Sequence, residues 1–106
     1  MRMKKEQWQK IKENYSEQRE FLDGVFYRLR FLSEDKAELA IIHSGPCGET
    51  IHAPKVTFDV ANLQPLSAFD SLATPTINLS YAQAPEKVSE MFDLTVEKFL
   101  KAKNLG

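Results

Sequence analysis

Apolar residues fall at helical spacing near both ends of the chain and alternate with polar ones in between. In residues 4–22, "KKEQWQKIKENYSEQREFL", Trp8, Ile11, Tyr15 and Leu22 keep a three-or-four step, with one gap at Gln18, and so share one helical face. A stripe this narrow suits a helix that lies on a sheet or pairs with one partner helix. Asp23-Gly24 follows, with Gly24 at the position where helices stop in the left-handed conformation. A second helix is expected over 85–104, "PEKVSEMFDLTVEKFLKAKN". Pro85 suits its first turn. Val88, Met91, Phe92, Thr95, Val96, Phe99 and Leu100 give it a broad apolar stripe. Glu86, Glu90 and Asp93 come early and Lys98, Lys101 and Lys103 late, as the helix dipole favours.

Between the helices the period changes to two. "VFYRLRF" (25–31), "AELAIIHS" (37–44), "ETIHA" (49–53) continued past Pro54 by "KVTFDV" (55–60), and "TINLSYA" (76–82) read as four strands. Pro54 cannot donate to a ladder, so it marks an edge, a bulge or a break. "SEDK" (33–36) and "GPCG" (45–48) are turns, and "NLQPLSAFDSLATPT" (62–76) is loop-like, with room for a short helix over 66–72. The order α-β-β-β-β-α points to an α+β fold. An N-terminal helix and a C-terminal helix flank a four-stranded, mainly antiparallel sheet, covered on one face.

Regular hairpins closed over 33–36 and 45–48 set Leu32 opposite Ala37 and Ser44 opposite Glu49. One face then holds Val25, Tyr27, Leu29, Phe31, Ala40, Ile42 and Ile51, for the helices to cover. The other holds Phe26, Arg28, Arg30, Leu39, Ile41, His43, Thr50 and His52. Its rows are Phe26–His43–Thr50 and Arg28–Ile41–His52, with the two histidines on a diagonal roughly 7–8 Å apart. The placement depends on register, because a slip of one residue moves a strand's side chains to the opposite face.

The chain of 106 residues suits a single domain spanning 1–106. Its 42% hydrophobic and 27% charged residues are ordinary globular usage, so disorder of the whole is not expected. A net charge of −1 lacks the basic excess of a nucleic-acid binder, and nucleic acid is not an expected partner. One cysteine cannot form an internal disulfide. No apolar run is long enough for a membrane span. The start, "MRMKK", is basic with no apolar segment after it, unlike a secretion signal. A cytoplasmic protein without cofactor is expected.

The chemistry concentrates in "HSGPCGETIH" (43–52), which holds both histidines and the cysteine. His43, Cys47 and His52 are legitimate zinc ligands, but their spacing fits no standard pattern and Arg28 would set a fixed positive charge beside the cation. No metal is expected. Cys47 in its turn, with His43 as base and Glu49 or Thr50 as orienter, is a candidate nucleophile. It is a weak one, since reactivity needs a stabilised thiolate and a lone turn cysteine is usually idle. Phe26, Arg28, Arg30, His43 and His52 together form a candidate ligand site, in which guanidinium forks would hold a small carboxylate or phosphate. A different signal covers residues 56–85, where Asp59 and Asp70 are the only charges. Interface cores are depleted in charge in this way, although the stretch could equally pack beneath the second helix. These features lead to a non-enzymatic binding or protein-interaction module. It is expected to be homodimeric through two-fold self-association, or else bound to another protein. The alternative is a small enzyme or anionic-ligand binder using Arg28, Arg30, His43 and His52, with Cys47.

Overall fold

The computed structural model describes residues 3–105. Met1 and Arg2 of the basic start lie outside the described residues, as does Gly106. The elements run α1 Lys5–Asn14, β1 Glu20–Leu22, β2 Val25–Phe31, β3 Lys36–Ser44, β4 Thr50–Asp59, β5 Pro65–Asp70, β6 Ile77–Ser80 and α2 Pro85–Ala102. The strands form one sheet in sequence order, each antiparallel to its neighbour. The α+β class with a helix at each end is as expected. The sheet, however, has six strands and not four.

The first additional strand comes from the segment read as the end of the N-terminal helix. That helix stops at Asn14, where Tyr15 turns extended with φ −122° and ψ 156°. The Asn14 side chain donates back to the Lys10 carbonyl at 2.8 Å. The chain then bends at Glu17 and exposed Gln18, the gap in the apolar stripe, before it enters β1. Asp23 and Gly24 have φ of 52° and 86°, and Leu22 pairs with Val25 across them. Two consecutive positive φ values make the two-residue turn whose twist matches a hairpin. Asp23-Gly24 therefore joins two strands instead of capping a helix.

The second additional strand, β5, replaces the expected loop or short helix over 66–72. The Asp59 carboxylate accepts from the amides of Ala61 and Asn62 at 2.8 and 3.4 Å and reverses the chain. Leu63, at φ 58°, is buried, and Pro65–Asp70 then pairs with β4. Small residues at Ser67 and Ala68 leave little alternation to read there.

Both helices pack on one face of the sheet, the inner face. Trp8 and Ile11 of α1 and Val88, Phe92, Val96 and Phe99 of α2 join Tyr27, Leu29, Leu39, Ile41, Val56, Phe58 and Ala68 in the core. The Phe58 ring lies 5.1 Å from Trp8, edge to face, and 5.2 Å from Phe92. The Phe99 ring lies 5.1 Å from Tyr27 and 4.8 Å from Tyr15. Tyr15 satisfies its buried hydroxyl by donating to the Phe99 carbonyl at 2.6 Å. Lys103 donates to the Asn14 carbonyl and meets Glu20 at 2.6 Å, fastening the end of α2 to α1 and β1. Of the charge-poor stretch, Val56, Phe58, Leu63 and Ala68 are buried in this core, and Ile77 and Leu79 pack against it. Leu72 and Tyr81 stay exposed. No helix among the described residues is long and apolar enough to cross a membrane.

Candidate functional site

The sheet's other face carries no helix. Its side chains line up in three cross-strand rows. The first is Phe21, Phe26, Ile42 and His52. The second is Arg28, Ala40, Lys55, Phe69 and Asn78. The third is Arg30, Glu38, Thr57, Ser67 and Ser80. The sequence places Phe26, Arg28, Arg30 and His52 on one face, and all four occur together here. His43 is separated from them. It pairs with Ile51, one step along from the Ile42–His52 pair, and so falls on the inner side.

Register is the physical reason. Phe31 pairs with Ala37 and Ser44 with Thr50, so each hairpin loop holds five residues where four are expected. The slip turns β3 over. Leu39, Ile41 and His43 face inward, while Ala40 and Ile42 face outward. The β3 sequence resists a reading from pattern, because Ala37, Leu39, Ile41 on one side and Ala40, Ile42 on the other are both apolar. The larger set fills the space under the helices. The outward set is buried as well: Ala40 is 0% exposed and Ile42 2%. Past this point β4 holds an extra residue, a bulge at Ala53-Pro54 between the Ile42–His52 and Ala40–Lys55 pairs. Pro54, with no amide to donate, sits where the ladder is broken. The bulge keeps His52 and Lys55 on the same outer face.

The electrostatics of this face are set by few groups. Arg28 meets Glu38 through one nitrogen at 3.4 Å, and its Nε is buried without an acceptor. Glu38 is itself buried. Lys55 Nζ lies 5.1 Å from the Phe69 ring centroid, and the Arg19 guanidinium lies 5.0 Å from that of Phe26. Phe21 packs edge-on against Phe26 at 5.1 Å yet remains 64% exposed. Burial pushes the His52 pKa down, Lys55 and Arg28 push it further down, and Glu38 opposes them. Four cations, Arg19, Arg28, Arg30 and Lys55, thus share a face with one central carboxylate. Lys36 and Asp59 stand opposite each other in strand register at its margin. Sequence reading overlooks Arg19, Phe21, Lys55 and Phe69. The Asp23-Gly24 hairpin signal would have brought in Phe21, and the Pro54 bulge Lys55.

"HSGPCGETIH" is a hairpin loop. The Gly45 amide donates to the Glu49 carbonyl at 2.8 Å, and the Gly48 amide to the Gly45 carbonyl at 3.0 Å. Gly48 takes φ 81°, which a side chain would resist. The Glu49 carboxylate folds back to accept the Cys47 amide at 3.1 Å. His43 Nε2 lies 3.0 Å from the Ala53 carbonyl oxygen. Cys47 is exposed as a free thiol, and no hydrogen bond joins it to His43 among the described residues. Nor do the described residues gather three potential metal ligands. One concavity, about 420 Å³, is lined by Tyr81 and by Pro85, Glu86, Ser89, Glu90 and Asp93 at the start of α2, and another by residues 73–79, which include Asn78 at the end of the second outer row. No family model, curated protein or solved structure matches the chain.

Proposed function

We propose that this chain is a non-enzymatic binding module that meets another protein through the outer sheet face. One observation carries the reading: a six-stranded sheet keeps both helices on one side and leaves on the other an exposed Phe21 beside Phe26 in a field of cations. Aromatic and arginine side chains together are what interface hot spots draw on. The edges of the sheet suit partners less well. β1 has three residues and β6 four, and short edge strands discourage strand addition. A two-fold dimer through the outer face would set Arg28, Arg30 and Lys55 near their own copies. The reading therefore favours a different chain over a second copy. The exposed single thiol of Cys47 suits a reducing compartment, so we place the module in the cytoplasm.

The test is affinity capture from the source cell with three baits: the wild type, Phe21→Asp combined with Lys55→Gln, and Leu94→Ser on the exposed side of α2. Proteins retained by the wild type and by Leu94→Ser but lost with the outer-face variant support the reading. Equal retention by all three baits removes it.

A second reading is favoured by Arg28, whose Nε lacks an acceptor. A small carboxylate or phosphate held by Arg28 beside His52 would supply one. Calorimetric titration with acetate and with inorganic phosphate tests it, and no heat at millimolar anion ends it.

A further inference from the structure

We infer that the occupant of the outer sheet face is an acidic segment of the partner protein. Its carboxylates would pair with Arg28, Arg30 and Lys55, and an apolar side chain would rest on Phe21. The inference rests on the binding-module reading above and adds the chemistry of the partner.

Charge complementarity carries it. Arg28 and Arg30 stand on alternate positions of β2, and Lys55 lies two strands away in the same row as Arg28. Among the described residues, the one carboxylate in the central rows, Glu38, is buried and engaged with Arg28 through a single 3.4 Å contact. Arg30 is exposed, and Lys55 Nζ stands 5.1 Å from the Phe69 ring centroid. Exposed and half-exposed cations of this kind attract and orient an acidic chain. Arg28 has hydrogen-bonding capacity left over. Its one long contact leaves Nε unsatisfied, and a carboxylate taking a bidentate grip would satisfy it.

Single-stranded nucleic acid fits less well. Stacking platforms present successive open rings to successive bases. Here Arg19 lies over Phe26 and Lys55 over Phe69, so only Phe21, at the edge, offers an open ring. The acidic stripe of α2, Glu86, Glu90, Asp93 and Glu97, is a candidate for the basic face of another copy, but that contact is head-to-tail and builds a ring or a filament, which the light scattering below would register as growth in mass.

The test uses the full chain and four probes. These are a fluorescent peptide of repeating Glu-Glu-Phe, its Gln-Gln-Phe counterpart, a single-stranded DNA oligonucleotide, and the protein itself followed by light scattering. The acidic peptide is expected to bind, and to bind more weakly as salt is added. Arg30→Gln with Lys55→Gln should weaken it by at least about tenfold. That pair leaves the Arg28–Glu38 contact in place, and circular dichroism confirms that the variant is folded. Equal binding of the Gln peptide overturns the acidic partner while leaving the outer-face reading intact, provided Phe21→Asp abolishes both. Tighter binding of DNA overturns it in favour of a nucleic-acid occupant. Concentration-dependent growth of the scattering mass, abolished by the same double variant, overturns it in favour of a second copy. Peptide binding that survives every outer-face substitution overturns both the inference and the reading beneath it.

Discussion

The two faces of the sheet reach similar burial by different means. On the inner face Leu39 and Val56 are 0% exposed because helix side chains lie over them. On the outer face Ala40 and Ile42 are 0% and 2% exposed with no helix above. Their row neighbours are Arg28 and Lys55 for Ala40, and Phe26 and His52 for Ile42. Long amphipathic side chains cover apolar surface with their stems while their polar heads stay wet. The inner cover is therefore made of two helices and the outer cover of a few rotamers. Rotamers move without unfolding anything, so the outer cover rearranges at lower cost than the inner one.

Substitutions on the two faces sharpen this contrast. Phe58→Ala removes a ring packed between Trp8 and Phe92. It should cost about 3–5 kcal/mol, since the helices cannot collapse into the space. Ile42→Ala on the outer face should cost only about 2 kcal/mol, the low end for such truncations, because mobile neighbours can fill the gap. The midpoint of urea unfolding at constant slope measures both. Equal losses would mean that the outer cover is as rigid as the inner one.

Gly24→Ala probes how Phe21 comes to the outer face. The glycine sits at φ 86° with no atom near its missing Cβ, so the cost is backbone strain and not a clash. About 1 kcal/mol is expected, along with loss of the Phe21–Phe26 ring contact in NMR spectra. Phe21→Ala should cost less than about 1 kcal/mol, the worth of one aromatic pair at an exposed edge. A larger loss would make Phe21 a structural residue and weaken its claim as a docking surface.

The sequence makes part of this legible. α2 declares itself through its broad stripe and through Pro85, and β2, β3, β4 and β6 through alternation or apolar runs. Strand β1 is hidden because Asp23-Gly24 is both a helix stop and a hairpin turn, and a helical stripe preceding it tips the reading. Strand β5 is hidden because Ser67 and Ala68 are too small to mark a face. The candidate site was half legible. Strand β2 has one apolar and one basic-aromatic side, so Phe26, Arg28 and Arg30 stay together under any pairing. Strand β3 is apolar on both sides, so pattern cannot orient it, and His43 was carried to the wrong face. His52 stays with the arginines because β3–β4 slips by one residue just as β2–β3 does.

His52 carries the smallest expected effect and reports directly on the outer cover. Burial first, then Lys55 and Arg28, depress its pKa below the ordinary 6.5, against the opposing pull of Glu38. Well above 6.5 the imidazole is neutral in the folded and the unfolded chain alike, and the stability is fully present. As pH falls through 6.5 the unfolded chain takes up the proton first. Stability then declines until the folded-state pKa is passed, below which both states hold the proton and His52 causes no further loss. Tyr15 and Tyr27, whose pKa values burial raises, stay neutral on the inner face throughout this window. The slope is shallow because His52 is partly exposed and solvent screens its neighbours. His52→Gln should flatten the fall in urea midpoint below neutral pH relative to the wild type. An unchanged fall would mean that His52 is already hydrated in solution, with Lys55 and Arg28 leaning away from it. The outer cover would then stand open before any partner arrives.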